Sequence, residues 1–192
     1  MTDREADWIL QAQQGNVSAF TSLVEAYQRP VYNLCYRMLA NAQDAEDAAQ
    51  ETFLRAFRAI HKYDNQRSFS TWILSIASHH CIDQIRRHKF NISLDELPSP
   101  DISDGDMGIE TRLSRKEEQE KVGKLLKVLE PTDRAVVIMY YWNDMSLKDI
   151  GLALNLTESA VKSRLHRARR TMAQKYLEQA GPQPVLAKRM AV

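Results

Sequence analysis

Residues 146–170 have the sequence SLKDIGLALNLTESAVKSRLHRARR, and this stretch decides the fold expected for the second half of the chain. Its apolar residues recur at helical spacing in two short segments that a turn separates. In the second segment, four apolar residues share one stripe because they recur at i, i+4, i+7 and i+11. They are Val161, Leu165, Ala168 and Met172. Two helices joined by a tight turn form a helix-turn-helix, which places its second helix in the major groove of DNA.

The ends of both segments carry residues typical of helix caps. Ser146 immediately precedes the first helix. Asp149 comes three residues after Ser146, within the first turn of that helix, as in a capping box. Asn155 occupies the turn, where a left-handed backbone is needed and Asn is tolerated. Thr157 is expected to cap the second helix. Gly151 lowers helix propensity, and we expect it at a close crossing with the second helix.

The face of the second helix opposite its apolar stripe is basic. Residues 161–175 include six Lys or Arg and no acidic residue. Cations that meet phosphates position a protein on DNA, whereas contacts to base edges give specificity. We expect Lys162, Ser163, His166 and Arg167 nearest the bases, with Ser159 on the same face and Arg164, Arg169 and Arg170 nearer the backbone. A solvated amphipathic helix is the alternative, but it would leave the turn and the one-signed charge as coincidences.

Composition and charge bound the remaining possibilities. The chain has 192 residues, of which 44% are hydrophobic and 27% charged, which is ordinary for a globular protein of one or two domains. The net charge of +1 conceals a segregated distribution. Residues 95–110 carry six acids and no base, whereas basic residues cluster at 86–89 and 162–175. This segregation predicts separate surfaces for DNA and for another partner.

Cysteine use and hydropathy favour a cytoplasmic protein. Cys35 and Cys81 lie in apolar helical patterns and are expected to be reduced core thiols. No apolar run approaches the ~18 residues that a membrane span requires. The N-terminus is polar and does not resemble a signal peptide.

The rest of the periodicity is helical, and the fold class is expected to be all-α. The expected helices before the helix-turn-helix are 5–14, 17–27, 30–40, 44–61, 70–88, 111–129 and 131–142. Pro30 is expected to begin its helix, and Asp44 to cap the helix at 44–61. Residues 91–110 are rich in acids, Pro and Gly and are expected to form a flexible linker. The chain is therefore divided into helical domains at 1–90 and 112–178, a linker at 91–111 and a disordered tail at 179–192.

The first half contains a pattern suited to single-stranded DNA. Phe69 and Trp72 follow a polar loop at 61–68, and their helix ends in the basic residues 86–89. Bases stack on aromatic rings while phosphates meet cations, and a polar loop can hold an unstacked base. From the residues alone, packing of the two rings into the core is the favoured alternative.

Three stretches together resemble the extracytoplasmic-function (ECF) sigma factors, the compact two-domain type of bacterial sigma factor. They are YQRPVYNLCYRMLANAQDAEDAAQETFLRAF (27–57), SFSTWILSIASHHCIDQIRR (68–87) and MSLKDIGLALNLTESAVKSRLHRAR (145–169). The resemblance covers most of 8–90 and 112–176. It implies that the first domain is sigma region 2, which docks on core RNA polymerase and recognises the melted minus-ten element. It implies that the second is sigma region 4, which reads the duplex minus-thirty-five element.

The resemblance also implies site residues, position by position. The polymerase-docking surface is expected at Asp47, Gln50, Glu51 and Leu54. Minus-ten recognition is expected from the loop and helix residues Tyr63, Asp64, Asn65, Gln66, Arg67, Ser68, Phe69, Trp72, His79, Asp83, Arg86 and Arg87. The chain departs from the common family pattern at Ser75, His79, Asn155 and His166, which leaves the base preference open.

The implied partners are core RNA polymerase, promoter DNA as duplex and as melted strand, and an anti-sigma factor, for a protein that is a monomer when free. No cofactor or metal is expected, and no enzymatic activity. A helix-turn-helix regulator that acts without polymerase is the main alternative, but it leaves the acidic helix at 44–57 unexplained. A metal enzyme built on His79, His80, Cys81 and His88 is disfavoured because adjacent helical residues point about 100° apart.

Overall fold

The computed structural model describes residues 3–64, 67–94 and 121–179, and within them the chain is helical without a β-strand. The first half contains α1 (Asp3–Gln13), α2 (Val17–Leu39), α3 (Ala42–Ala59), a 3-10 turn (Ile60–Lys62) and α4 (Phe69–Leu94). The second half contains helical residues 121–127, then α5 (Pro131–Trp142), α6 (Leu147–Leu154) and α7 (Glu158–Gln179). The expectation of an all-α chain is confirmed.

Helices α2, α3 and α4 form the core of the first half, and α1 packs on α2. The buried face of α3 consists largely of alanines, including Ala45, Ala48 and Ala56. Small side chains at the contact let neighbouring helices approach closely. The outer face of α3 is consequently left to its longer polar and apolar side chains.

Helix α2 corrects one expectation, because residues 17–39 form a single helix with Pro30 inside it. An interior proline removes one helical hydrogen bond and costs about 3 kcal/mol. The buried face of α2 nevertheless continues from Leu23 past the proline to Val31, Leu34 and Met38. Burial of this continuous face against α3 and α4 offsets the local cost.

Two helix ends also differ from expectation. Asn41, not Asp44, caps α3: its side-chain oxygen accepts the backbone N–H of Asp44 at 3.0 Å. Asp44 lies in the first turn, where the helix dipole still favours its charge. Helix α4 runs to Leu94 and so includes the first residues of the expected linker. Most of that linker, and nearly all of the expected tail, lie outside the described residues.

Helix α5 is the centre of the second half. Its residues from Ala135 to Met139 are all buried, and both α6 and α7 pack on it. A short helix that is apolar on nearly all sides needs neighbours all round. In this structure α2 and α4 of the first half supply the remaining neighbours, so the two halves share one continuous core.

Arg134 lies at the junction of the two halves and is only 5% exposed. Its Nη1 donates to the carbonyl of Met38, in the last turn of α2, at 2.6 Å. Its Nη2 donates to the carbonyls of Lys127 at 2.9 Å and Leu129 at 3.4 Å. Carbonyls at helix C-termini lack helical partners and carry partial negative charge, so a guanidinium suits them. Burial lowers the pKa of Arg134 from its ordinary value.

Other contacts nearer the surface join the same two halves. Lys89 Nζ lies 3.8 Å from Glu130 Oε1, and Arg86 Nη2 donates to Thr132 Oγ1 at 3.4 Å. The guanidinium of Arg37 lies over the Trp142 ring, 5.1 Å from its centre. The exposed contacts of Lys89 and Arg86 contribute little to stability.

Arg134→Met is expected to lower the free energy of unfolding by about 2–4 kcal/mol, because it leaves buried carbonyls without a donor. Urea unfolding followed by circular dichroism measures this loss. Arg87→Met serves as the control, since Arg87 is exposed on α4, and its effect is expected to stay within about 0.5 kcal/mol. Equal effects of the two substitutions would contradict the role assigned to Arg134.

Candidate nucleic-acid interface

The helix-turn-helix has the caps that its sequence predicts. The Ser146 hydroxyl oxygen accepts the backbone N–H of Asp149 at 3.1 Å, and the hydroxyl donates to the Asp149 carboxylate. Asn155 has φ 55° and ψ 46°, the left-handed conformation, and its N–H donates to the Gly151 carbonyl. Thr157 Oγ1 accepts the N–H of Ala160 at 3.1 Å. These bonds fix the angle at which α7 leaves the turn.

Gly151 is needed at a close approach between α6 and the turn. A Cβ at this position would lie 2.7 Å from the carbonyl oxygen of Leu156. That oxygen belongs to the backbone and cannot swing away as a side chain would. The close approach expected from the sequence is therefore present, although α6 meets the turn rather than α7 itself.

Gly151→Ala is expected to destabilise the protein by about 1–3 kcal/mol, although alanine is the better helix former. Gly123→Ala is the matched control, because Gly123 is also helical and its Cβ would meet no described atom within 4 Å. The control is expected to be neutral or to stabilise by up to about 1 kcal/mol. Thermal unfolding of both variants measures the difference, and a stabilised Gly151→Ala would contradict the close approach.

Helix α7 brings the sequence-predicted duplex-contacting residues together on one face. Val161, Leu165 and Ala168 are buried and Met172 is partly buried, so the apolar stripe is confirmed. The opposite face, here called the basic face, is exposed except at the half-buried Arg164. It consists of Ser159, Lys162, Ser163, Arg164, His166, Arg167 and Arg170.

Several cations of the basic face have partners within the protein. Lys162 Nζ lies 3.0 Å from Glu158 Oε1, an exposed pair one turn apart. Arg164 and Arg167 both donate to the carboxylate of Asp133 on α5. Burial alone would raise the pKa of Asp133, but hydrogen bonds from the two guanidiniums hold it below its ordinary value. The hydrogen bond to Asp133 in turn raises the pKa of Arg167.

Arg169 lies at the edge of the basic face and is bound to the aromatic end of α5. Its Nε donates to the Tyr141 hydroxyl at 2.8 Å, and its guanidinium lies 5.6 Å from the ring centres of Tyr140 and Tyr141. Such contacts hold a guanidinium near the surface without removing its charge.

The aromatic residues for which stacking on melted DNA is expected lie in the core in this structure, as their residue types alone favour. Phe69 is 1% exposed and Trp72 6% exposed, and both rings pack against the buried Tyr63. Tyr27 of α2 completes the cluster, 5.1 Å from Phe69 between ring centres. Rings enclosed on all sides offer no free face to a base. In this conformation their role is to hold the loop that precedes α4.

That loop is anchored at both ends. The Tyr63 hydroxyl donates to the Arg67 carbonyl at 2.7 Å, and Gln13 Nε2 donates to the Tyr63 carbonyl at 2.7 Å. Ser68 caps α4 by accepting the N–H of Thr71 at 3.1 Å. Asp64 and Ser68 are exposed and Arg67 is partly exposed. Asn65 and Gln66, also expected to contact DNA, lie outside the described residues.

The other residues expected to contact the minus-ten element follow one side of α4. Asp83, Arg86 and Arg87 are exposed, while His79 is half-buried with its Nδ1 2.8 Å from the Ser75 carbonyl oxygen. Arg87 Nε donates to the Asp83 carbonyl at 3.3 Å. Arg86 is the one of these that contacts the second half of the chain, through Thr132.

The residues expected to bind polymerase lie on the outer face of α3. Asp47, Gln50 and Leu54 are exposed and Glu51 is half-buried, with its Oε1 2.6 Å from Arg55 Nε. They recur at i, i+3, i+4 and i+7, so they share one helix face. Here this group is called the α3 face.

Phe57 extends the α3 face and was missed from the sequence. It is 44% exposed, and its ring meets Phe20 edge-on with the ring centres 5.0 Å apart. Its spacing of three residues from Leu54 is the signal that could have indicated it. The partnership of Asp133 with α7 was also missed, and no local signal indicates it, because the partners are 31 and 34 residues away.

The described residues also bear on metal-binding and membrane-spanning proteins. Among residues 3–64, 67–94 and 121–179, no group of three or more His, Cys, Asp or Glu side chains could hold a metal ion. Cys35 and Cys81 are both free thiols and buried, as expected. In the same part of the chain, every helix is too short or too polar to cross a membrane.

Known proteins provide close comparisons. Residues 23–90 match the family model of sigma-70 region 2, and residues 119–172 match that of sigma-70 region 4. The ECF RNA polymerase sigma factor SigW of Bacillus subtilis is 37% identical over 177 residues, which cover 85% of this chain and 92% of that protein. The ECF RNA polymerase sigma factor SigM of the same organism is 27% identical and matches 80% of this chain and 93% of its own length.

Solved structures agree in fold. CnrH, solved in complex with the cytosolic domain of CnrY, superposes with a TM-score of 0.69 at 23% identity, over 91% of this chain and 97% of that one. The sigma factor RpoE of Bartonella quintana, solved with the anti-sigma factor NepR, gives a TM-score of 0.65 at 18% identity, over 82% of this chain and 96% of that one.

Proposed function

Because the chain belongs to the ECF RNA polymerase sigma factors of the sigma-70 family, we propose that it docks on core RNA polymerase through its α3 face and selects promoters through two DNA-contacting surfaces. Sigma region 4, residues 112–178, reads the minus-thirty-five element as duplex. Sigma region 2, residues 1–90, recognises the minus-ten element as it melts. The polymerase performs the chemistry, and the chain supplies specificity as a cytoplasmic subunit without enzymatic activity.

The basic face of α7 supports duplex reading. A recognition helix enters the major groove, where Arg pairs with guanine through two hydrogen bonds and Lys meets phosphates. Ser159, Lys162, Ser163 and His166 are exposed in the first turns of α7, the part of a recognition helix that meets bases. We assign base contacts to this part and to Arg167. Phosphate contacts are assigned to Arg164, Arg169 and Arg170.

The loop before α4 and the outer side of that helix support recognition of melted DNA. Unpaired bases lose stacking energy, and pockets or stacked side chains on the protein offset that loss. Because Tyr63, Phe69 and Trp72 are enclosed, we assign the capture of unpaired bases to the polar residues of this loop, of which Asp64, Arg67 and Ser68 are at least partly exposed. Asp83, Arg86 and Arg87 continue along α4, where the two guanidiniums suit the strand's phosphates.

The α3 face supports docking on polymerase. Asp47 and Gln50 are exposed toward one end of this face, and Leu54 and Phe57 are exposed toward the other, which leaves an acidic end and an apolar end. Such a face fits a partner groove with basic edges, since charge complementarity speeds docking while a buried apolar residue supplies affinity.

One observation carries the proposal: the same chain presents both a helix-turn-helix with an exposed basic face and, on α3 of the first half, an exposed acidic and apolar helix face. A helix-turn-helix regulator that acts alone requires only the first of these. It would leave Leu54 and Phe57 exposed without a purpose. The promoter-specificity subunit is therefore the function that accounts for both surfaces.

We also propose an anti-sigma factor as a regulatory partner. The sigma factor RpoE of Bartonella quintana, whose fold is similar, was solved with the anti-sigma factor NepR. A partner that covers the α3 face or the basic face would block polymerase or DNA by simple occlusion.

The direct test is transcription with purified core RNA polymerase on genomic DNA, followed by mapping of transcript 5′ ends. The expected outcome is a set of new start sites that share two upstream motifs. Core polymerase without the added protein is the control. DNA binding without polymerase binding and without new starts would favour the regulator that acts alone.

Leu54→Ala is expected to weaken binding to core polymerase by about ten-fold, the effect of losing an apolar contact that docking buries. Leu10→Ala is the matched control, since Leu10 is 56% exposed on α1 and Leu54 51% exposed on α3. The control is expected to change the affinity less than about two-fold. Fluorescence titration of labelled protein with core polymerase measures both, and equal affinities would exclude the α3 face as the docking surface.

A further inference from the structure

We propose that Asp133 is a positioning residue for promoter reading: its buried carboxylate fixes the guanidinium of Arg167 so that the free edge of that group points at the DNA. The inference rests on the proposed function, because it concerns how region 4 distinguishes one duplex sequence from another. Asp133 itself touches no DNA in this arrangement and acts through α7.

The carboxylate of Asp133 is buried and accepts several hydrogen bonds, unlike a surface carboxylate. Asp133 is 4% exposed, in the first turn of α5. Oδ1 accepts from Arg164 Nη1 at 2.6 Å and from Arg167 Nη2 at 3.2 Å, and Oδ2 accepts from Arg167 Nε at 2.9 Å. Charge-assisted bonds at these distances are among the strong ones in proteins. Three such hydrogen bonds converge on the Asp133 carboxylate, and the buried position of Asp133 on α5 holds that carboxylate in place.

The atoms of Arg167 that donate to Asp133 determine which of its N–H groups remain free to bind a base. A guanidinium has five N–H groups in a planar fork. Asp133 takes one from Nε and one from Nη2, which form one edge of Arg167. The N–H groups that remain on Nη1 and Nη2 form the other edge. Two parallel donors are what the O6 and N7 acceptors of guanine require.

Exposure separates the roles of the two arginines. The side chain of Arg164 is 30% exposed, whereas that of Arg167 is 59% exposed. Arg164 thus lies more deeply between α5 and α7, where it closes the second side of the carboxylate. Arg167 reaches past Asp133 into solvent on the basic face. We therefore assign base reading to Arg167. Arg164 helps to hold the carboxylate, and its exposed part remains available for the phosphate contact assigned to it above.

Removal of the carboxylate charge would release both arginines together. Arg164 and Arg167 are three residues apart on α7, so their guanidiniums would be neighbouring like charges without a shared anion. Each has several freely rotating bonds, and ordering Arg167 on DNA would then cost rotamer entropy that Asp133 now removes in advance. The loss should therefore fall on sequence preference, while the added positive charge preserves attraction to DNA in general.

The test uses the protein assembled with core polymerase and two promoter duplexes, one with the mapped upstream motif and one with that motif scrambled. The ratio of the two affinities, measured by fluorescence anisotropy, is the specificity ratio. Asp133→Asn is expected to lower this ratio by about ten-fold. Glu178→Gln is the control. It makes the same change in net charge at an exposed position of α7, where Glu178 pairs with Lys175, and it is expected to leave the ratio unchanged.

A double substitution separates positioning from general loss of structure. In an Arg167→Ala background, Asp133→Asn is expected to change the ratio less than about two-fold, because the residue that it positions is gone. A further ten-fold loss in that background would overturn the inference. Should Asp133→Asn fail to fold in thermal unfolding, Asp133→Glu keeps the charge but displaces the carboxylate. It is expected to lose part of the ratio, and an unchanged ratio would overturn the inference.

The specificity ratio of the wild-type protein tests the proposed function separately from the role of Asp133. A wild-type ratio of one would overturn the assignment of region 4 as a promoter reader, and with it the inference. A clear wild-type preference that Asp133→Asn retains in full would overturn the role of Asp133 alone.

Discussion

The burial of Arg134 is the polar constraint that fixes where the second half meets the end of α2. A guanidinium removed from water is costly unless its hydrogen bonds are replaced. Here Nη1 and Nη2 find replacements in the C-terminal carbonyls of α2 and of the segment that precedes α5. The buried Nε has no partner among the described residues. The position of α5 is thereby tied to the end of α2, and the shared apolar core follows from that position. A residue in the second half thus completes a helix end in the first.

The neighbouring residue, Asp133, connects α5 to α7, the recognition helix. Successive residues of a helix point about 100° apart, so Asp133 and Arg134 can face different elements from one turn. Arg134 holds α5 to α2, and Asp133 holds α7 to α5 through Arg164 and Arg167. Two adjacent, oppositely charged residues therefore locate the recognition helix relative to the rest of the chain. Neither charge is exposed, so screening by salt affects them less than it affects the surface pairs.

Local sequence predicted what local interactions decide. The caps at Ser146 and Thr157, the left-handed Asn155 and the apolar stripe of α7 depend on residues only a few positions apart, and the structure has them. Pro30 was misjudged because a long buried face, formed by packing with other helices, outweighs its local cost. Phe69 and Trp72 lie in the core, as their residue types alone favoured. The ion pairs of Asp133 join residues far apart in the chain, and no spacing rule could have paired them.

The contacts between the halves differ in what their loss would cost. Lys89 with Glu130, and Arg86 with Thr132, are exposed and long, and water would replace either partner with little change in free energy. Separation of α5 from α2 would break the bond of Arg134 to Met38 but keep its two bonds within the second half. The guanidinium would gain water in exchange for one carbonyl. The apolar contacts of α5 and α6 with α2 and α4, not the charges, therefore dominate the cost of moving the recognition helix away from the first half.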